Sequence, residues 1–316
     1  MIATAFLASL AVTASAQNLD WIGQTYDGTA VQLWSLTPSG ARGAARGSIP
    51  LPAGSTISTD LFRCQPYGLY CQFIAQDATG AASLYNATLE GVLVGKVALP
   101  AADRITSLHV DAHSGRSYFT AHTGSGAAVL SVSSDGAAQL EVDLTPYLHA
   151  GAALTAGGAT HCSNRQTLWL AASNGTAGSL LTIDLAAQRV AAQTPLAFPG
   201  FASMWADCGE FDKSGDLPSG TVYDASSRTL SYGAVGAGGS FVPSATAQVP
   251  TGLQPSGLLS FADVFNSQYN YFAALYPAGA AAGATPAKGQ LAFFDANGPG
   301  MTLTPVDYFL AGAALS

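Results

Sequence analysis

Asp111, His113, His161, Asp207 and Asp263 are the residues of this chain whose types could do chemistry together. Each lies at or near the end of a short apolar run, and such runs recur along the chain. If those runs gather around one axis, their carboxylates and imidazoles converge at one end of it. A ring of such groups can bind a divalent cation such as calcium and activate a water molecule. The competing reading is structural. An Asp directly before a tight turn caps that turn through its own side chain, and Asp111-Ala-His-Ser-Gly115 has that form. The local pattern favours the turn, and on that reading no cofactor is expected.

The cysteines are Cys64, Cys71, Cys162 and Cys208. Four cysteines allow three pairings. Cys162 and Cys208 stand about one repeat apart, so equivalent strands at equal height would bring them within disulfide reach. Cys64 and Cys71 would then close a short hairpin. Crossed pairing is the alternative. A Cys/His metal centre is disfavoured, because neither a short Cys-x-x-Cys spacing nor a paired His motif occurs.

The elements that must position these residues are strands. From Leu108 the chain shows four runs of β-type residues, at 108–111, 117–122, 128–133 and 138–144, divided by Gly, Ser and Asp. Period-two alternation with turn residues at this spacing marks a four-stranded antiparallel meander. The unit recurs from 60, 160, 203 and 258, and an incomplete copy at 20–51 lacks its first run. A repeat of about 48 residues built this way is a propeller blade, whose two apolar faces are buried only by neighbouring blades. The expected fold is therefore an all-β propeller of four-stranded antiparallel blades. Six blades fit the count; seven shorter ones are the alternative. The tail Ala311-Gly-Ala-Ala-Leu-Ser316 nearly repeats Ala150-Gly-Ala-Ala-Leu-Thr155, which precedes an innermost run. The tail is thus expected to supply the strand missing from the first blade, closing the ring with the two ends of the chain.

Val110-Asp111-Ala-His-Ser-Gly-Arg-Ser-Tyr118-Phe119 resembles the Asp, turn and aromatic pattern of six-bladed propellers of the YWTD and TolB-like kind. The tetrad itself is replaced by Tyr118-Phe-Thr-Ala121. The resemblance implies the fold and carries no activity with it.

Charged residues make up only 9% of the chain, and the net charge is -8. Lys96, Lys213 and Lys288 are its lysines. With no basic cluster, nucleic acid is not an expected partner. No segment is long and apolar enough to insert in a membrane. Residues 1–16 read as a secretory signal: a short apolar stretch ending in Ala14-Ser-Ala16, cleaved before Gln17, although no Lys or Arg precedes it. Residues 17–316 then form one propeller domain. Sequons at Asn86-Ala-Thr88 and Asn174-Gly-Thr176, and an even cysteine count, agree with an extracellular glycoprotein.

Other motifs lead nowhere. Gly-x-Ser-x-Gly is absent, and the Gly-rich segments 124–126 and 236–239 precede no helix. Asp212-Lys-Ser-Gly-Asp216 lacks the twelfth-position Glu of a calcium loop. Tyr269, Tyr271, Phe272 and Tyr276 read as a strand packed between blades rather than a glycan platform. The low-complexity stretch 277–288 reads as a surface loop. The expected function is a secreted, non-enzymatic module that binds or scaffolds an extracellular protein or glycan. The rivals are a lactonase-like metal-dependent hydrolase using the axial carboxylates, and a self-assembling coat or filament subunit.

Overall fold

The computed structural model describes residues 21–315 except 37–41, 65–69, 112–113, 125, 134–135, 137, 150, 202, 206–216, 264–267, 281–287 and 296–300. The chain enters the first blade at β1 (Trp21–Tyr26), β2 (Ala30–Leu36) and β3 (Arg42–Pro50). The second blade is β4 (Thr56–Cys64), β5 (Cys71–Gln76), β6 (Ala82–Ala87) and β7 (Leu93–Ala98). The third is β8 (Arg104–Val110), β9 (Ser117–Thr123), β10 (Gly126–Val132) and β11 (Ala138–Asp143). The fourth is β12 (Ala153–Cys162), β13 (Thr167–Ser173), β14 (Gly178–Asp184) and β15 (Arg189–Leu196). The fifth is β16 (Ser203–Trp205), β17 (Ser219–Asp224), β18 (Thr229–Val235) and β19 (Phe241–Gln248). The sixth is β20 (Gln254–Asp263), β21 (Gln268–Tyr276), β22 (Gly289–Asp295) and β23 (Met301–Val306). Finally β24 (Gly312–Leu315) pairs antiparallel with β1, Trp21 opposite Leu315 and Gln24 opposite Gly312.

Each blade is a four-stranded antiparallel sheet, and there are six. The first strands touch in the cyclic order β24, β4, β8, β12, β16, β20 and back to β24, so they line the axis. The fold is a six-bladed β-propeller, latched by the C-terminal strand as the repeated tail sequence implies.

Burial follows position in the blade. The second strand of a blade is sandwiched between two neighbours, so β5 is buried at five consecutive residues. The outermost strands carry mostly exposed residues, as β7 and β15 show. Apolar clusters fill the space between successive blades, from Leu61, Ile74 and Phe119 between blades two and three to Leu230, Val249 and Leu275 between five and six, and one continuous cluster joins blades six, one and two. The latch is buried in the same manner: Tyr276 stacks on Phe309 with ring centroids 4.6 Å apart. Its hydroxyl donates to Tyr308 O and accepts from Leu310 N, both at 2.8 Å.

The inner strands are longer than the alternation of residues implies. The register of β4 shifts between Ile57 and Phe62, of β8 between Ile105 and Ser107, and of β12 between Leu154 and Ala159. A bulge breaks the period of two, so the sequence pattern starts only near the end of the bulge.

Candidate functional site

In blades two to six the last residue of the innermost strand pairs with the first residue of the second strand, which marks one end of each blade. Cys64 and Cys71 sit there, opposite each other in the β4–β5 ladder with Cα atoms 4.0 Å apart, and form a disulfide. The expected second bond differs. Cys162, the last residue of β12, carries a free, fully buried thiol. It packs as a small apolar residue among Trp169, Ala171, Leu180, Phe201 and Met204, between blades four and five. Cys208 lies outside the described residues.

Asp111 follows β8 at the same end and is 1% exposed. Its backbone closes the turn: its N–H donates to Arg116 O, and its carbonyl accepts from Gly115 N, both at 2.8 Å. Its carboxylate Oδ2 accepts from Ser114 Oγ at 2.8 Å and from Gln166 Nε2 at 3.1 Å. Gln166 belongs to the next blade, so Asp111 both caps its own turn and joins blade three to blade four. Of the other candidates, His113 and Asp207 lie outside the described residues, as does the segment 212–216. Asp263 ends β20, and its side chain is likewise not described. Among the described residues no three His, Cys, Asp or Glu side chains gather as a metal site.

His161 is described, and it has a neighbour the sequence reading passed over. Arg63, His109 and His161 are the penultimate residues of β4, β8 and β12. They therefore share one phase on three successive inner strands. The rings of His109 and His161 lie 6.3 Å apart by centroid, and Tyr118, opposite His109 in the ladder, lies 5.5 Å from His161. Burial holds the His109 imidazole well below its ordinary range, helped by the positive charge of Arg63 and by His161. Burial also pushes His161 down to about 4, against the opposing pull of the Asp111 carboxylate. Both are neutral near pH 7. His109 Nε2 is buried without a hydrogen-bond partner among the described residues. Aligning the repeats by strand end, rather than by acidic residues, brings out this trio.

A second carboxylate was equally silent in the sequence. Glu141 on β11 accepts from Ser131 Oγ at 2.5 Å and Arg116 Nη1 at 2.9 Å within its blade. Its other oxygen accepts from Gln188 Nε2 of blade four at 2.8 Å. The buried acids of blade three thus serve its junction with blade four.

The sequons fare differently. Asn174 is at an exposed hairpin tip. Its Oδ1 accepts from Thr176 N at 3.0 Å, Thr176 Oγ1 at 2.9 Å and Ala177 N at 2.8 Å, so Nδ2 is the remaining polar atom of the side chain. Asp27 makes the same turn in blade one with Thr29, and Asp224 makes a related one in blade five with Ser226. Asn86 instead lies within β6, half-buried, with its Oδ1 enclosed. Of the aromatic group, Tyr276 is fully buried, as expected for a strand between blades; the side chains of Tyr269, Tyr271 and Phe272 are outside the described set.

The architecture defines the class: a six-bladed β-propeller with a C-terminal latch. Among solved structures, the nidogen/laminin complex contains a chain similar over 94% of this one and 97% of its own length, with TM-score 0.52 and 13% identity. A protein of unknown function from Bacteroides caccae is similar over 94% of this chain and 98% of its own, with TM-score 0.57 and 12% identity. The periplasmic gluconolactonase of Pseudomonas aeruginosa covers 93% of this chain at TM-score 0.49 and 13% identity. No protein-family model matches the chain, and no curated protein does. The first two likenesses agree with the fold and show nothing beyond it.

Proposed function

We propose that this chain is a secreted, non-enzymatic propeller that binds or scaffolds an extracellular protein or glycan through its loop-bearing faces. The observation that carries this reading is the state of Asp111. Its buried carboxylate is engaged by Ser114 and Gln166 as a structural joint, which is the role expected of a turn cap rather than of a cation ligand. The Cys64–Cys71 bond suits an oxidising compartment. A propeller of this fold also occurs in the nidogen/laminin complex, where proteins meet.

The test sets this reading against metal-dependent hydrolysis. Purified protein is dialysed against chelator, then titrated with calcium, zinc and manganese while its melting temperature and its hydrolysis of lactones are followed. The binding reading expects no metal-dependent hydrolysis. Hydrolysis that returns with a metal and is abolished by Asp111→Asn would assign the enzyme function instead.

A further inference from the structure

We infer that the outer edge of blade two is a self-association surface, which pairs this chain with a second copy of itself about a twofold axis through β7. The proposal stands apart from the identity of any ligand.

Edge strands are normally defended against pairing by proline, charge or bulges. In this ring the outermost strands β3, β15, β19 and β23 contain Pro50, Pro195, Pro243 and Pro305 respectively. β7 and β11 contain none. Of the five large exposed apolar side chains among the described residues, three lie on or beside β7, while Leu140 on β11 and Val242 on β19 stand singly. Val92, Leu93 and Val94 are consecutive and 61%, 45% and 65% exposed. Single exposed apolar residues are ordinary, but three in a row on an edge without proline are not.

The segment around them is self-complementary. Residues 90–96 read Glu-Gly-Val-Leu-Val-Gly-Lys. The sequence is a palindrome about Leu93 except at its ends, which carry opposite charges. Two antiparallel copies related by a dyad at Leu93 set Leu93 against Leu93 and Val92 against Val94. Each Glu90 then falls toward the other copy's Lys96, at both ends of the apolar run. Glu90 and Lys96 are exposed, and neither forms an ion pair among the described residues; Lys96 Nζ lies 5.3 Å over the Tyr85 ring, which holds it at this edge.

The segment is also held rigidly. At Gly91, φ is +81°, and a Cβ there would lie 2.5 Å from Ser48 N; one on Gly47 would lie 2.0 Å from Glu90 O. The turn before β7 is therefore clamped against blade one, and presenting Val92–Val94 costs little ordering. The register of β7 against β6 shifts at Asn86/Ala87. The bulge bows the strand there, so the stretch that can pair about Leu93 is short. A patch this small supports a weak, transient dimer.

Sedimentation equilibrium from about 5 to 500 µM at low salt tests this, over the range expected for such a patch. A reversible dimer is expected. Glu90→Lys and Lys96→Glu, which each place like charges together at both ends, should each weaken it about tenfold or more, and the double variant should restore it to within about twofold. Val242→Lys, on the proline-bearing edge β19, should leave it unchanged. Thermal melts confirm that every variant is folded. A wild-type monomer throughout the range, or a dimer indifferent to the single reversals, or a double variant no better than the singles, overturns the proposal.

Discussion

Gln166 donates from Nε2 to Asp111 Oδ2 at 3.1 Å across the boundary between blades three and four, and does so from a backbone with φ of 50°. Gln188 repeats the relationship: φ is 51°, and its Nε2 donates to Glu141 at 2.8 Å. Two glutamines of one blade, both in left-handed conformation, thus satisfy the two buried acids of the blade before it. A left-handed conformation costs a non-glycine residue about 1 kcal/mol. Gln166→Ala retains that cost and removes a donor to a buried carboxylate, so it should destabilise by about 1–3 kcal/mol. Gln166→Gly relieves the backbone and should cost less. Urea denaturation ranks the two, and an alanine variant at least as stable as the glycine one refutes the account.

Glu141 should be harder to replace. Glu141→Leu strands Ser131, Arg116 and Gln188 without their acceptor, two of them reaching a largely buried site. The expected loss is about 3 kcal/mol, typical of breaking a buried pair from one side. Pairing Glu141→Leu with Gln188→Leu should recover part of it; strictly additive losses in that double-mutant cycle would show that the two side chains do not interact.

Acid should loosen the inner ring. His109 and His161 are held neutral in the folded state, His161 down to about 4 from an ordinary 6.5. Unfolded histidine binds a proton near pH 6.5, so the full stability is present above that pH and is lost as pH falls from about 6.5 toward 4. Protonation there adds charge beside Arg63. The His161 share is about 3 kcal/mol at most. Unfolding free energy measured across this interval should slope downward toward acid, and His161→Gln should flatten the slope; an unchanged slope in that variant contradicts the assignment.

Thiol chemistry separates the cysteines. Cys162 should resist alkylation in the native protein and react fully after denaturation without reductant, while Cys64 and Cys71 react only once reduced. Peptide mapping reads all three. Cys64→Ser with Cys71→Ser opens a short loop and should cost about 2 kcal/mol.

When the chain is made in a eukaryotic secretory host, the glycan should be found at Asn174 and not at Asn86. Asn174→Gln should abolish the mass lost on deglycosylation, and Asn86→Gln should leave it intact. A glycopeptide containing Asn86 contradicts the reading that enclosure within β6 disfavours that site.

Blade count, strand order and the latch were legible because each rests on local pattern. The alternation of 117–122 and the near-copy at 311–316 need no knowledge of distant residues. The turn role of Asp111 was legible for the same reason. The Cys162 pairing was not: the repeat phase of the sequence suggests a partner one blade on, but the face that the Cys162 side chain takes is fixed by packing against Trp169 and Phe201. His109 was missed because a lone His between Leu108 and Val110 reads as an ordinary polar position in an alternating strand. Glu141 and Gln188 are 47 residues apart, and nothing local announces that one satisfies the other.

The pairing of Trp21 with Leu315 has a mechanical consequence. Because β1 and β24 run antiparallel, the chain on either side of the latch departs from the same end of their ladder. A pull between those two chain segments loads the hydrogen bonds one after another, like a zipper, instead of shearing them together. Packing ties each blade to its neighbours, whereas the latch ladder presents four residue pairs that such a pull opens in turn. A tether on one side alone leaves the latch unloaded, so attachment through a single terminus is the arrangement that preserves the closed ring under force.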